Sequence, residues 1–173
     1  MASHTEEARE QALTQLMHTY GDSIKRMCCV YLKDLGVAED AAQETFIKAY
    51  AHIDEVIDGA IANERAWLSR IAINTCKDYR RTAWFRHVDL RQALDELPPR
   101  LLFTSTEDRS LTLAVMELPT RYKQVILLYY YEGFTQTEIA ETLHVSNATV
   151  HRRLEKAYGL LKKELKGGSI YEV

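Results

Sequence analysis

The stretch from Thr135 to Leu165, TQTEIAETLHVSNATVHRRLEKAYGLLKKEL, restricts this chain more than any other. Thr135 and Glu138 stand at capping-box spacing, so a helix is expected to begin there. Ile139, Ala140 and Leu143 give that helix one apolar face, and His144-Val145-Ser146 makes a short turn in which Val145 plugs the angle between two helices. Ser146 is placed to cap the second helix, whose apolar stripe runs Val150, Leu154, Ala157, Leu161, Leu165 at steps of three and four. Asn147, Ala148, His151, Arg152 and Lys156 are left outside that stripe. Two helices joined this way, the second basic near its start, have the chemistry of a helix-turn-helix that enters a major groove. The candidate DNA-contacting residues are Thr137, Glu138, Ser146, Asn147, Ala148, Thr149, His151, Arg152, Arg153 and Lys156. A basic solvated face on an ordinary helical hairpin has the same pattern.

The 22 Lys and Arg against 25 Asp and Glu leave a formal net charge of −3, so any nucleic-acid surface has to be local. Only 7 Gly and 3 Pro in 173 residues suit an all-α chain. No apolar run reaches the length of a membrane span, and the opening MASHTEEAREQAL lacks the basic and apolar regions of a signal peptide. A soluble cytoplasmic protein with no membrane insertion of its own is the expectation. Cys28, Cys29 and Cys76 read as core or partly buried thiols, with a redox switch as the alternative.

The pattern divides the chain into two small helical domains and a linker. The first, residues 6–82, is expected to open with one helix around Ala8, Ala12, Leu16 and Tyr20, followed by a second capped by Asp22 and carrying Ile24, Met27, Cys28, Tyr31 and Leu32. Asp34-Leu35-Gly36 marks a stop and turn. A third helix runs from about Val37 to Ile53 and a fourth from about Glu64 to Arg81, with a polar loop of no helical period between them. Residues 83–106, with Pro98-Pro99, form the linker, whose leucines and Phe103 are expected to dock on this protein or a partner. The second domain, residues 107–166, has a helix around Leu111, Val115 and Leu118 ended by Pro119. A further helix from Val125 to Tyr130 is capped by Gly133, and the helix-turn-helix follows.

Three strings, AEDAAQETFIKAY from Ala38, AWLSRIAINTCKDYRR from Ala66 and the block from Glu117 to Lys162, resemble in this order the extracytoplasmic-function class of bacterial RNA polymerase sigma factors. The resemblance implies two helical domains, called regions two and four, and a subunit that directs core polymerase to promoters. It also implies core RNA polymerase and promoter DNA as partners, with an anti-sigma factor as many relatives have. Carried onto this chain, it assigns the polymerase contact to Glu39, Asp40, Gln43, Glu44, Phe46 and Ile47. The spacing agrees, because Asp40, Gln43, Glu44 and Ile47 share one helix face while Ala38, Ala41, Thr45 and Ala49 turn inward.

The fourth helix resembles the family element that holds the melted minus-ten DNA. From Arg65 to Arg86 there are six cations against the single acid Asp78, a local positive surface suited to phosphates. The resemblance points to Arg70, Asn74, Lys77, Arg80 and Arg81, with Asp58 and Asn63 in the preceding loop as candidates for reading a flipped base. Trp67 beside Leu68 and Ile71 reads as core rather than as a stacking platform.

The chain departs from the family pattern in its recognition unit. His144 stands where Gly is common, which requires His at positive φ, and His151 replaces a common Lys, lowering the fixed charge. Promoter preference therefore does not transfer from relatives. No P-loop, nucleophile elbow or dinucleotide fingerprint is present, and Glu141 with His144 is a single E-x-x-H lacking a second half. No catalytic residue, metal or cofactor is expected. The alternative function is a free-standing helix-turn-helix regulator that binds DNA without polymerase.

Overall fold

The structure, a computed structural model, describes residues 4–81 and 106–167. The linker expected at 83–106 lies outside these apart from Thr106. Among the described residues the fold is helical throughout, with no strand.

The first lobe begins with α1, Glu6–Leu32, capped by the Thr5 hydroxyl accepting from the Ala8 amide at 3.3 Å and closed by left-handed Lys33 at φ 64°. Two helices are expected here from the Gly21-Asp22 break, but a single 27-residue helix runs through it. Glycine in a helix interior costs only about 1 kcal/mol. Leu16 on one side of it and Ile24 to Leu32 on the other are anchored in one core, which outweighs that cost. Helix α2, Leu35–Tyr50, starts where Asp34 Oδ1 accepts from the Val37 amide at 2.9 Å. Its inner face is small: Ala38, Ala41, Thr45 and Ala49 are all fully buried, and the Thr45 hydroxyl is satisfied by the Ala41 carbonyl at 2.7 Å.

The polar loop holds a short helix, α3, Ile53–Ile57, pinned by buried Ile53, and turns at Gly59 with φ 71°. Helix α4, Glu64–Arg81, is capped by Asn63, whose Oδ1 accepts from the Ala66 amide at 3.0 Å. It buries Leu68, Ala72, Ile73 and Cys76. All three cysteines are free and buried. Burial pushes the Cys29 thiol up to about 12, and contact with Cys76 together with burial raises Cys28 well above the ordinary thiol range. The three side chains therefore behave as small apolar core residues.

The second lobe consists of α5 (Thr106–Glu117), α6 (Thr120–Ile126), a π turn (Leu127–Tyr131), α7 (Gln136–Leu143) and α8 (Asn147–Gly167). Leu111, expected in the core, is 41 % exposed; Thr112, Val115 and Met116 take the buried face instead. The π turn is closed by the Glu132 amide on the Leu127 carbonyl at 3.1 Å, and left-handed Gly133 (φ 69°) then reverses the chain. Val150, Leu154, Ala157 and Leu161 of α8 are buried against Val125, Ile126, Leu128 and Ile139, each large side chain contributing about 1.5–3 kcal/mol.

The lobes pack against each other along the end of α1 and the start of α4. Lys123 Nζ donates to the Tyr31 carbonyl at 3.5 Å, and Gln124 Nε2 to the Tyr31 hydroxyl at 3.2 Å. The Ser23 hydroxyl donates to Glu132 at 2.5 Å and Arg65 Nε to the same carboxylate at 3.1 Å. No helix among the described residues is long and apolar enough to cross a membrane.

Candidate functional site

The helix-turn-helix is built by local chemistry. The Thr135 hydroxyl accepts from the Glu138 amide at 3.2 Å while Glu138 Oε2 accepts from the Thr135 amide at 2.7 Å. These bonds from Thr135 hold the Glu138 carboxyl below its usual range. His144 adopts the left-handed conformation at φ 53°, the geometry a Gly would otherwise supply. Val145 then seats its amide on the Ala140 carbonyl at 3.0 Å and packs against the core. The Ser146 hydroxyl caps α8 by accepting from the Thr149 amide at 3.1 Å.

The cap places Asn147, Ala148, His151, Arg152 and Lys156 on the exposed side of α8, with Thr149 and Arg153 half-buried. Two of these side chains are already oriented: Asn147 Nδ2 donates to the Thr137 hydroxyl at 3.5 Å, and Arg152 Nη2 to the Thr149 hydroxyl at 3.3 Å. Thr137 is exposed at the start of α7, whereas Glu138 is committed to the cap. Glu155 lies 3.4 Å from His151 on the same exposed side, so the face is less positive than its Arg and Lys suggest.

On α2, Asp40, Gln43 and Ile47 are exposed, Ile47 by 69 %. Glu39 and Glu44 are half-buried and paired, with Lys25 at 2.5 Å and Lys48 at 2.8 Å respectively. The Lys48 hydrogen bond holds the Glu44 carboxyl below its usual range. Phe46 is only 6 % exposed and belongs to the core beneath this face, so it supports the surface from inside rather than lying on it.

On α4, Arg70, Asn74, Lys77 and Arg81 recur at helical spacing along one side, with Arg80 beside them; all but half-buried Arg70 are exposed. Asp78 tempers the far end, 3.8 Å from Lys48 and 4.0 Å from Arg81. Asn74 lines a groove of about 560 Å³ with Lys48, His52, Glu55, Trp67 and Ile71. Trp67 is half-buried, packing on the core with one part and lining this groove with another. Of the loop candidates, Asp58 is exposed and bonded to His4 at 2.7 Å. Asn63 spends its oxygen on the α4 cap and directs its Nδ2 to Glu138 of the second lobe at 3.4 Å.

Sequence reasoning did not find Ser23, Lys123 or Glu132, and it counted Arg65 only among the cations of the basic stretch, without its pairing to Glu132. Each is unremarkable in its own segment, and the partners it meets lie 67 to 109 residues away.

Residues 16–86 match the family described as Sigma-70 region 2, and residues 108–161 match Sigma-70, region 4. The chain is similar to the ECF RNA polymerase sigma factor SigL of Mycobacterium tuberculosis, at 32 % identity over 136 residues and 76 % of each chain. It is also similar to the ECF RNA polymerase sigma factor SigW of Bacillus subtilis, at 28 % over 172 residues, covering 91 % of this chain and 90 % of that one. Among solved structures, CnrH in complex with the cytosolic domain of CnrY superposes with a TM-score of 0.70 at 24 % identity, covering 92 % of this chain and 91 % of CnrH. The sigma factor RpoE of Bartonella quintana, in complex with the anti-sigma factor NepR, gives 0.70 at 20 %, covering 88 % and 96 %.

Proposed function

Since the chain belongs to the ECF RNA polymerase sigma factors, we propose a division of labour among its surfaces that follows from their chemistry. Region two is carried by residues 6–82 and region four by residues 107–166. The observation that carries the reading is the α2 face: Ile47, 69 % exposed, stands among Asp40, Gln43 and the Lys48-paired Glu44, with no covering element among the described residues. A single apolar anchor in a polar, acidic surround suits a basic helical partner surface, as core polymerase would offer.

The α4 side with Arg70, Asn74, Lys77, Arg80 and Arg81 takes the phosphates of the melted minus-ten strand. The groove of about 560 Å³ beside Trp67 and Asn74 is where an unstacked base would be received. Helix α8 enters the major groove at the minus-thirty-five element, with Arg152 and Asn147 at base edges and Lys156 on phosphate. The chain performs no chemistry of its own; it supplies sequence choice to the polymerase in the cytoplasm. An anti-sigma factor is a further partner, as NepR is of the Bartonella protein.

The test is a gel shift on promoter DNA with and without core polymerase, paired with run-off transcription. Promoter-selective transcripts that require both this chain and core enzyme are expected. A specific shift by the chain alone, with no effect on transcription by core, would instead identify a free-standing regulator.

A further inference from the structure

The start of α1 is tied to the corner between α2 and α3, the corner that supplies one wall of the groove beside Trp67 and Asn74. Arg9 makes most of the tie. Its guanidinium lies over the Tyr50 ring, 4.6 Å from the centroid, and Nη2 donates to the Tyr50 carbonyl at 3.5 Å at the end of α2. Its Nε stands 3.4 Å from Asp54 Oδ1 of α3, with both atoms shielded from water. Glu6, 3.5 Å from Arg9 Nη1, accepts from the Tyr50 hydroxyl. His4 Nε2 lies 2.7 Å from Asp58 Oδ1, where α3 ends.

The gripped residues, Tyr50, Asp54 and Asp58, recur at steps of four, and the groove-lining Ala51, His52 and Glu55 lie between them in sequence. His52 and Glu55 form a polar edge of the groove, His52 Nδ1 being 2.9 Å from Glu55 Oε1. The corner has little of its own to hold it. Helix α3 is five residues long and has no side-chain cap at its start, so it is too short to persist by its own hydrogen bonds. Ile53 and Val56 fix its depth in the core, but apolar packing is non-directional. The charged contacts from α1 set where the corner points.

We propose that Arg9 is a positioning residue for promoter recognition: it holds the α2–α3 corner so that His52 and Glu55 meet the unstacked minus-ten base in one fixed arrangement. The inference rests on the reading of this groove as the base-receiving site. Discrimination between bases needs donors and acceptors held in place, and a small misplacement loses it. Arg9 belongs to none of the surfaces assigned above. Its loss therefore acts on base choice through the corner, and leaves polymerase binding and the minus-thirty-five contact as they were.

The test uses the full chain in holoenzyme with core polymerase. The probe is a promoter library randomised at both elements, each template carrying a barcode in its transcript, and sequencing the run-off RNA gives the base preference at every position. His52→Ala and Glu55→Gln identify the minus-ten position that the groove reads. Arg9→Met keeps the aliphatic stem and removes the guanidinium, and Asp54→Asn removes the charge opposite it. Each should lower the preference at that same position about five- to tenfold. Minus-thirty-five preferences should stay within about twofold, and co-purification with core polymerase and circular dichroism should be unchanged. The double variant should be no worse than either single change, because both remove one contact. If Arg9→Met fails to fold, the double variant carries the comparison, since it leaves no carboxylate buried without its partner. Glu10→Gln, an exposed acid next to Arg9 in sequence, is the control and should match the parent.

An Arg9→Met holoenzyme that keeps the parent's preference at the groove-read position would overturn the proposal. So would equal losses at both elements, or a double variant whose loss is the product of the single losses. If the parent gives promoter-dependent transcripts but His52→Ala and Glu55→Gln flatten no minus-ten position, the groove reading falls and the inference with it. If the parent gives none, the sigma-factor surfaces themselves are wrongly assigned.

Discussion

Lys123 offers the sharpest energetic test of how the lobes are held. Its side chain is 1 % exposed and, among the described residues, its ammonium donates to the Tyr31 carbonyl alone, at 3.5 Å, in the last turn of α1. That carbonyl lies at the negative end of a helix and is a favourable neighbour for a cation, but one long hydrogen bond does not replace hydration. Burial first, then the nearby charges of Lys33 and Arg80, push the Lys123 pKa from 10.5 down to about 7, with Glu117 opposing. The sign follows directly. Between about pH 7 and 10.5 the unfolded chain binds the proton and the folded chain does not, so stability rises with pH. Below pH 7 both states hold the proton and the full burial cost is felt.

From pH 7 to 9 this one group should add about 2 kcal/mol of stability, approaching ~1.4 kcal/mol per pH unit. Lys123→Met keeps the aliphatic stem and removes the charge. It should stabilise the chain at pH 7 by on the order of 1–4 kcal/mol and abolish this part of the pH slope. Urea unfolding at pH 7, 8 and 9, followed by circular dichroism, reads both effects as the difference between parent and variant. Parallel pH profiles, or a destabilised variant at pH 7, would show that Lys123 remains hydrated and that the packing of α6 on the end of α1 is looser than described.

Three further outcomes are expected at the proposed surfaces. Changing Asp40, Gln43 and Glu44 together to Ala should weaken co-purification with core polymerase while leaving the helical signal intact, since none of the three is buried; undiminished co-purification would remove the assignment of this face. Arg152→Ala should cost about 1–3 kcal/mol at one cognate base pair, whereas Lys156→Ala should weaken all promoter variants alike and reduce the salt slope by about 1; competition shifts against single-base promoter variants separate the two. Arg80→Ala with Arg81→Ala should lower permanganate reactivity of the minus-ten thymines, and a pre-melted bubble template should restore much of the lost transcription by removing an unpairing cost of a few kcal/mol. No rescue by the bubble, with core binding intact, would move these arginines to duplex docking.

Features governed by near neighbours were legible in the sequence. The Thr135–Glu138 box, the Ser146 cap and the left-handed His144 are decided within a few residues, so the helix-turn-helix could be drawn with its exposed face before any tertiary contact was known. The inward alanines of α2 and the basic side of α4 follow from the same helical period. Tertiary packing decided the rest. Gly21 and Asp22 look like a break, yet one core anchors both halves of α1. Phe46 shares a motif with surface residues but lies in the core with Ala42 and Ala49 of the same helix. The π turn at Leu127–Tyr131 and the burial of Lys123 and Glu132 have no local signature. The burial of the two charged side chains depends on what the other lobe brings: a helix end for Lys123, and Ser23 with Arg65 for Glu132. A chain's local code specifies which faces exist. Whether a given face meets water, DNA or its own second lobe depends on long-range geometry, because the cost of burying a charge is set by the partners that arrive with it.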